Sequence, residues 1–421
     1  MPEEAKMAQP LRFQGYSDAW EQRKFEEMLD KNDGVRRGPF GSSLKKEIFV
    51  ENSDYVVYEQ QNAIYDNYKT RYNISKEKFD ELHKFSLKEN DFIMSGAGTI
   101  GRISRVPKGI KPGVFNQALI RFRINSELTD PKYFLQFIRA ENMQRKLTGA
   151  NPGSAITNLV PMTEVKNWEI FVPAKAEQIK IGDFFKNLDN TIALHQRQSD
   201  TYKELKKSML QKMFPQDGEK VPEIRFDGFT EEWERRSLNS IVKRVTRKNK
   251  NLESSLPLTI SAQHGLVDQN TFFNKQVASK DVSGYYLVKK GEFAYNKSYS
   301  SGYPWGAIKR LDNYDMGVLS TLYIVFQPVN IVSDFLVTYY DTNLWHKEVS
   351  MRAAEGARNH GLLNISAQDF FETELIISTN TEEQARIGCY FKQLDDTIAL
   401  HKQKTTCLQI LKNSLLNKMF I

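Results

Sequence analysis

What this chain has little of already narrows its function. In 421 residues there are two cysteines and six histidines. Cys389 and Cys407 sit in one helical-looking stretch, about 27 Å apart by helical rise, so no disulfide joins them and a reducing compartment is expected. His83, His195, His264, His346, His360 and His401 show no metal-ligand spacing, and no Cys-x-x-Cys pair supplements them. No apolar run approaches the ~18 residues of a membrane span. The opening MPEEAKMAQP lacks the apolar core of a signal peptide, so a cytoplasmic protein with no membrane partner is expected.

Catalytic signatures are missing as well. Gly96, Gly98 and Gly101 fit G-x-G-x-x-G, but the following RISRVPKGIKPG puts prolines and glycines where a phosphate-binding helix should begin. A tight turn in a β-rich domain is expected there. Arg102 and Ile103 stand where a P-loop needs Lys and Ser or Thr, which argues against ATP binding. Asn151-Pro152-Gly153 lacks the second proline and the aromatic of the N-P-P-[YF] motif of adenine methyltransferases. Glu204-Leu205-Lys206 resembles the end of a nuclease motif, yet it lies in a helical stretch and reads as a solvated face. No cofactor is expected on this chain.

What the chain does have, it has twice. Residues 178–214, QIKIGDFFKNLDNTIALHQRQSDTYKELKKSMLQKMF, align without a gap on residues 384–420, QARIGCYFKQLDDTIALHKQKTTCLQILKNSLLNKMF, at a constant offset of 206. Neither copy contains proline. Apolar or small residues recur every three or four positions, first at Ile181, Phe185, Leu188, Ile192, His195, Ser199, Tyr202, Leu205, Met209 and Met213. They recur again at Ile387, Phe391, Leu394, Ile398, His401, Thr405, Leu408, Leu411, Leu415 and Met419. One such stripe on a helix some 55 Å long needs a partner, and the economical partner is the other copy, packed antiparallel. A two-fold exchange within the repeat sets His195 opposite Thr405 and Ser199 opposite His401, as hydroxyl–imidazole pairs. Thr381 with Gln384 fits a capping box for the second rod, and Pro173 precedes the first.

The rest of the chain keeps the same order. PLRFQGYSDAWEQR (10–23) recurs as PEIRFDGFTEEWERR (222–236), aligning Phe13 with Phe226 and Trp20 with Trp233. Each block then offers a strand-like run, QALIRFRI (117–124) or TLYIVF (321–326), followed by a helix. The first helix is signalled by Asp130 before Pro131, the second by a cap near Ser333 or Asp334. A last strand is expected at 168–172 and 374–377. The division drawn is a first variable domain at 1–172, a first long helix at 173–215, a second variable domain at 216–377 entered through a short linker at 215–222 within MFPQDGEKVP, and a second long helix at 378–421. The fold class is α+β: two mixed α/β domains joined by two long antiparallel helices that form a coiled-coil spine, with a pseudo-two-fold internal repeat.

This order, with EQ-x-[KR]-I-x-x-[FY]F-x-x-LD-x-x-I opening each rod, resembles the specificity subunit of type I restriction-modification systems, as do GPFGSSLKK (38–46), SGAGTIGRI (95–103) and YNKSYSSGYPWGAI (295–308). The resemblance implies a sequence-specific, non-catalytic subunit whose variable domains are target-recognition domains. Each reads one half of a bipartite, asymmetric target in double-stranded DNA, and the helices set the spacing. It further implies modification (methyltransferase) subunits, two per chain, docked on the helices, with restriction subunits joining through the complex. S-adenosylmethionine, Mg and ATP are expected on those partners. The alternatives are a stand-alone DNA methyltransferase or nuclease with unrecognised motifs, and a DNA-free coiled-coil adaptor.

A net charge of +7 permits a nucleic-acid partner without requiring one. The DNA-binding candidates are the loop cations and their polar neighbours: Arg36, Arg37, Ser42, Ser43, Lys45, Arg102 and Arg105 in the first domain, and Lys297, Ser298, Tyr299, Ser300, Tyr303, Arg352, Arg358, Asn359 and His360 in the second. Cations there neutralise phosphates, and Arg, Asn and Ser also read base edges. Tyr295 and Trp305 interleave with the second group, with aromatic core as the competing role. His195 and His401 read as register-setting seam residues rather than metal ligands.

Overall fold

The structure is a computed structural model that describes residues 11–39, 43–148, 161–216, 218–261, 263–275, 278–298, 302–353 and 363–420. It contains two compact units, Met1–Gln196 with Gln403–Ile421, and Arg197–Lys402. No helix among the described residues is long and apolar enough to cross a membrane.

The first unit is built on an antiparallel sheet in the order Val35–Arg37, Leu119–Phe122, Phe92–Ser95, Ile103–Arg105. Every residue of the two central strands is buried, because both faces of the sheet are covered. Alternation assigns the faces: Phe92, Met94, Ile120 and Phe122 join a core with the helix Pro131–Arg139. Ile93 and Leu119 join Val56, Tyr58 and Phe115 of a second sheet, ordered Phe49–Val50, Tyr72–Ile74, Tyr55–Tyr58, Gly113–Phe115. The helix at 131–139 starts as its sequence says. Asp130 Oδ1 accepts from the N–H groups of Lys132 and Tyr133, both at 2.9 Å, and proline occupies the first turn. A ribbon of Glu21–Lys24 with Glu169–Val172 completes the domain.

The second unit repeats the central sheet with the same order, Val242–Arg244, Ile324–Pro328, Phe293–Asn296, Ala307–Arg310. It replaces the other sheet by two ribbons, Leu258–Ser261 with Gly265–Asp268 and Tyr286–Lys289 with Met316–Leu319. The helix Ser333–Asp341 is capped differently from its sequence signal. Val332 is the N-cap, its N–H donating to Gln384 Oε1 at 2.8 Å, while Ser333 and Asp334 both receive the Arg310 guanidinium.

The long helices are Lys175–Lys212 and Thr381–Met419. Within the first unit Asp189 pairs with Lys412 at 2.6 Å and Phe185 meets Phe420 at 6.1 Å. Within the second, Lys206 pairs with Asp395 at 2.7 Å and Phe214 meets Phe391 at 6.2 Å. As one index rises the other falls, so the segments run antiparallel in each unit, and the two ion pairs are the same pair at the 206-residue offset.

Several local expectations are corrected. Asn380, not Thr381, caps the second long helix, its Oδ1 accepting from Glu382 N at 2.9 Å, and Gln384 is drawn away to other partners. Ser199 Oγ is buried with no hydrogen-bond partner among the described residues, and the His401 ring stacks on Tyr202 at 5.8 Å instead of meeting that hydroxyl. Leu411 leaves the stripe at 46 % exposure and Lys412 turns inward in its place, drawn by Asp189. Lys206, read as part of a solvated face, bridges Asp341 and Asp395 and is mostly buried. Met213 and Phe214, which open the stretch read as a linker, are core residues.

Candidate nucleic-acid interface

The motif that opens each long helix builds the joint between helix and domain. Glu177 is buried and receives Arg12 Nε at 2.9 Å and Nη2 at 2.6 Å. Glu383 receives Arg225 at 2.7 and 2.8 Å, and the Trp233 indole N–H at 3.1 Å. The next residue joins the other side: Gln178 accepts from Asp130 N and donates to the Pro173 and Leu128 carbonyls. Gly182 and Gly388 let each helix approach closely; a Cβ would lie 2.7 Å from Tyr133 N or from Phe335 N. Arg12 and Arg225 were not singled out from the sequence, although the repeated PLRF and PEIRF openings carry them.

Residues 128 and 130, which Gln178 binds, follow the strand Leu119–Phe122, and the glycine-rich turns gather at the other end of that strand. In the first unit the loop 96–102 links the hairpin strands Phe92–Ser95 and Ile103–Arg105, with Gly98 and Gly101 at φ +62° and +82°. Its glycines make a turn followed by a strand, not a phosphate-binding helix. Gly96 N–H donates to Ala118 O at 2.7 Å and Gly38 N–H to Leu119 O at 3.0 Å, so residues 37–39, 96–102 and 116–118 meet. Gln144 ties the helix Glu141–Thr148 to this group by donating to Gly101 O at 3.1 Å. Arg37 and Arg102 are exposed there, and their guanidinium groups make no hydrogen bond or ion pair with a described residue. Lys146, on the polar face of the 141–148 helix, is a further exposed cation that the sequence reading passed over; Met143 and Leu147 inside that helix were its signal.

Other candidates in this unit are spent internally. Arg36 donates to Asp33 Oδ1 at 3.1 and 2.8 Å, and Arg105 to Asn90 Oδ1 at 3.1 and 2.6 Å. Asp33 also takes Arg121 and Arg123, and Arg123 is clamped at 2.6 and 2.9 Å by buried Asp91. Burial works to raise the Asp33 carboxyl, but the guanidinium of Arg36 with those of Arg121 and Arg123 holds it below its ordinary range. Arg121, 1 % exposed, is itself lowered by burial. Ser43 is half-buried and Lys45 exposed, just after the undescribed residues 40–42.

In the second unit Lys297 donates to Ile365 O at 3.1 Å, and burial pushes its amine down. Ser298 N–H donates to Asn296 Oδ1 at 3.0 Å, and Tyr303 is half-buried. Tyr295 is core, stacked on Phe370 at 4.7 Å with its hydroxyl donating to Trp305 O, and Trp305 packs against the same core. Arg352 is held by Glu348 at 2.5 Å. Ser42, Tyr299, Ser300, Arg358, Asn359 and His360 lie outside the described residues.

Of the expected seam residues, Ile181, Phe185, Ile387, Phe391, Leu394 and Ile398 are buried, and Leu188, Ile192, His195 and His401 half-buried. Lys206 and Lys412 occupy equivalent positions and shift oppositely. Burial lowers both, but Asp341 and Asp395 together carry Lys206 upward, while Asp189 alone leaves Lys412 lowered. Among the described residues no group of His, Cys, Asp and Glu could hold a metal ion, and both cysteines are free and exposed.

Residues 18–204 match the family described as the type I restriction modification DNA specificity domain. Among curated proteins none matches the sequence. Solved structures with a similar fold include the type I restriction-modification S subunit from M. genitalium, 16% identical, with 99% of each chain covered and a TM-score of 0.61. Another is a chain from work on complex assembly and conformational transition of the type I R-M system, 14% identical, covering 95% of this chain and 97% of that one, with a TM-score of 0.51. The family match covers the first domain and most of the first long helix, and the second unit repeats the same sheet order and helix joint.

Proposed function

We propose that the chain recognises a bipartite, asymmetric sequence in double-stranded DNA for a type I restriction-modification complex, each unit reading one half. The chemistry belongs to other subunits: modification subunits, two per chain, docked on the long helices, and restriction subunits joined through the complex. These partners bring S-adenosylmethionine, Mg and ATP. The observation that carries the recognition role is the specificity-domain match over residues 18–204. What supports the 96–102 end as the contact surface is the company of exposed, uncommitted Arg37 and Arg102 with glycine turns, since small residues let backbone donors approach phosphate closely. Arg36 and Arg105, already paired within the domain, serve instead as supports.

The test is the salt dependence of DNA binding by the assembled methyltransferase. Replacing Arg102 or Arg37 by Ala lowers the log–log slope by about 0.9 for each phosphate no longer neutralised and weakens all sequences alike. Arg105→Ala leaves the slope in place. Equal slopes for all three variants would remove the 96–102 end from the interface.

A further inference from the structure

The end of the first unit that gathers the 96–102 turn carries a side chain of a different kind. Asn116 N–H donates to Tyr58 O at 3.0 Å, so the strand Tyr55–Tyr58 finishes at the same place. The helix Gln60–Tyr65 begins two residues later. Two polar residues around its start, Glu59 and Asn62, are committed. Glu59 receives Arg71 at 2.7 and 3.0 Å. Asn62 is buried, accepting from Glu59 N and donating to the Asn67 and Lys69 carbonyls at 2.6 and 2.9 Å. Gln60 is half-buried, and its carboxamide makes no hydrogen bond to any described residue. It lies against the glycine turn: a Cβ on Gly98 would sit 3.7 Å from Gln60 Nε2. Gly98 holds φ +62°, where a side chain is strained, so the turn presents bare backbone beside the amide. Gln117 also stands at this end but is exposed, with more rotamer freedom to lose on binding.

A neutral amide does little for a phosphate, which accepts hydrogen bonds and leaves the carbonyl oxygen without a donor. Its coplanar donor and acceptor complement a base edge that offers an acceptor and a donor side by side, as adenine N7 and N6 do in the major groove. We propose that Gln60 is a specificity-determining residue of the first unit, reading one adenine edge beside the 96–102 turn. The assignment rests on the DNA-recognition role proposed above.

The experiment assembles the full-length chain, wild-type or carrying Gln60→Ala, Gln60→Glu or Gln61→Ala, with its modification subunits and selects from a pool of randomised duplexes. Gln60→Ala relaxes a single base pair of one half-site by about tenfold to a hundredfold, the size of one bidentate contact. Non-specific affinity, salt slope and the other half-site stay as in wild type. Gln60→Glu, nearly isosteric, accepts only, and moves the preference at that pair toward cytosine, whose N4 donates. Gln61→Ala selects as wild type does. If wild type selects a sequence and both Gln60 variants select the same one, or if Gln61→Ala relaxes the same pair, Gln60 is not the reader. If wild type selects no sequence at all, the recognition role itself fails and this assignment falls with it.

Discussion

Phe420 follows the second long helix, yet it is part of the core of the first unit. It is 2 % exposed and touches four aromatic rings, Tyr133 at 5.4 Å, Phe137 and Phe185 at 6.1 Å and Trp20 at 6.5 Å. Phe214 does the same in the second unit, against Trp233 and Phe335 at 5.7 Å, Tyr339 at 6.1 Å and Phe391 at 6.2 Å. Truncating a buried phenylalanine to alanine costs about 3–5 kcal/mol in transfer and cavity terms. For a unit of roughly 200 residues each kcal/mol moves the melting midpoint by some 2–4 °C, so Phe420→Ala should lower it by about 6–20 °C. The location of the loss is the sharper test. Hydrogen exchange on the full chain should show Phe420→Ala deprotecting the strands Phe92–Ser95 and Leu119–Phe122 and the helix Pro131–Arg139, more than 280 residues away in sequence, with Phe293–Asn296 and Ile324–Pro328 as in wild type. Phe214→Ala should give the reverse map. Deprotection of the second unit by Phe420→Ala, or of neither, would refute the claim that this ring completes the first core.

Gly182→Ala and Gly388→Ala should each destabilise by about 1–3 kcal/mol in urea, because the added carbon meets backbone that cannot step aside; unchanged midpoints would mean the helix joint is looser than its 2.7 Å approach. Lys206→Met should cost more than Lys412→Met, since it strips two carboxylates of a partner instead of one, and equal losses would show that Asp341 does not depend on Lys206. The Asp341 carboxyl, raised by burial but lowered further by Lys309 and Lys206, ends below its ordinary range. Its contribution to stability is present above the unfolded carboxylate value of about 3.9 and is lost as pH falls through the lower folded value, so Asp341→Asn should flatten the acid limb of stability against pH. An acid limb identical to wild type would assign the loss to other carboxylates.

Helical periodicity made much of this protein legible. The two long helices and their antiparallel run in each unit follow from a proline-free stripe repeated at a fixed offset, and the observed Asp189–Lys412 and Lys206–Asp395 pairs fall within one residue of the register that a two-fold exchange demands. Local signals did well where local chemistry decides, as with Asp130 and Pro131 at the helix start or the glycine turn at 96–102. They failed where a distant residue competes. Gln384 looks like a capping partner for Thr381 until the Ser378 carbonyl and the Val332 N–H claim it. The hydroxyl of Ser199 was matched to His401 by position along the stripe, but Tyr202, one turn on, occupies the face of that ring.

Composition also could not sort the loop cations. Arg36 and Arg37 are neighbours in a strand, so their side chains leave on opposite sides; one finds Asp33 and the other finds solvent. That difference depends on where Asp33, Arg121, Arg123 and Asp91 come together, which sequence spacing does not reveal. The repeat by itself determined that there are two domains of one plan and two helices sharing a seam, because periodicity and self-similarity are properties of the chain in one dimension. Which ring closes which core, and which cations remain free to meet a ligand, only the tertiary structure decided, because both depend on partners brought together from far along the chain.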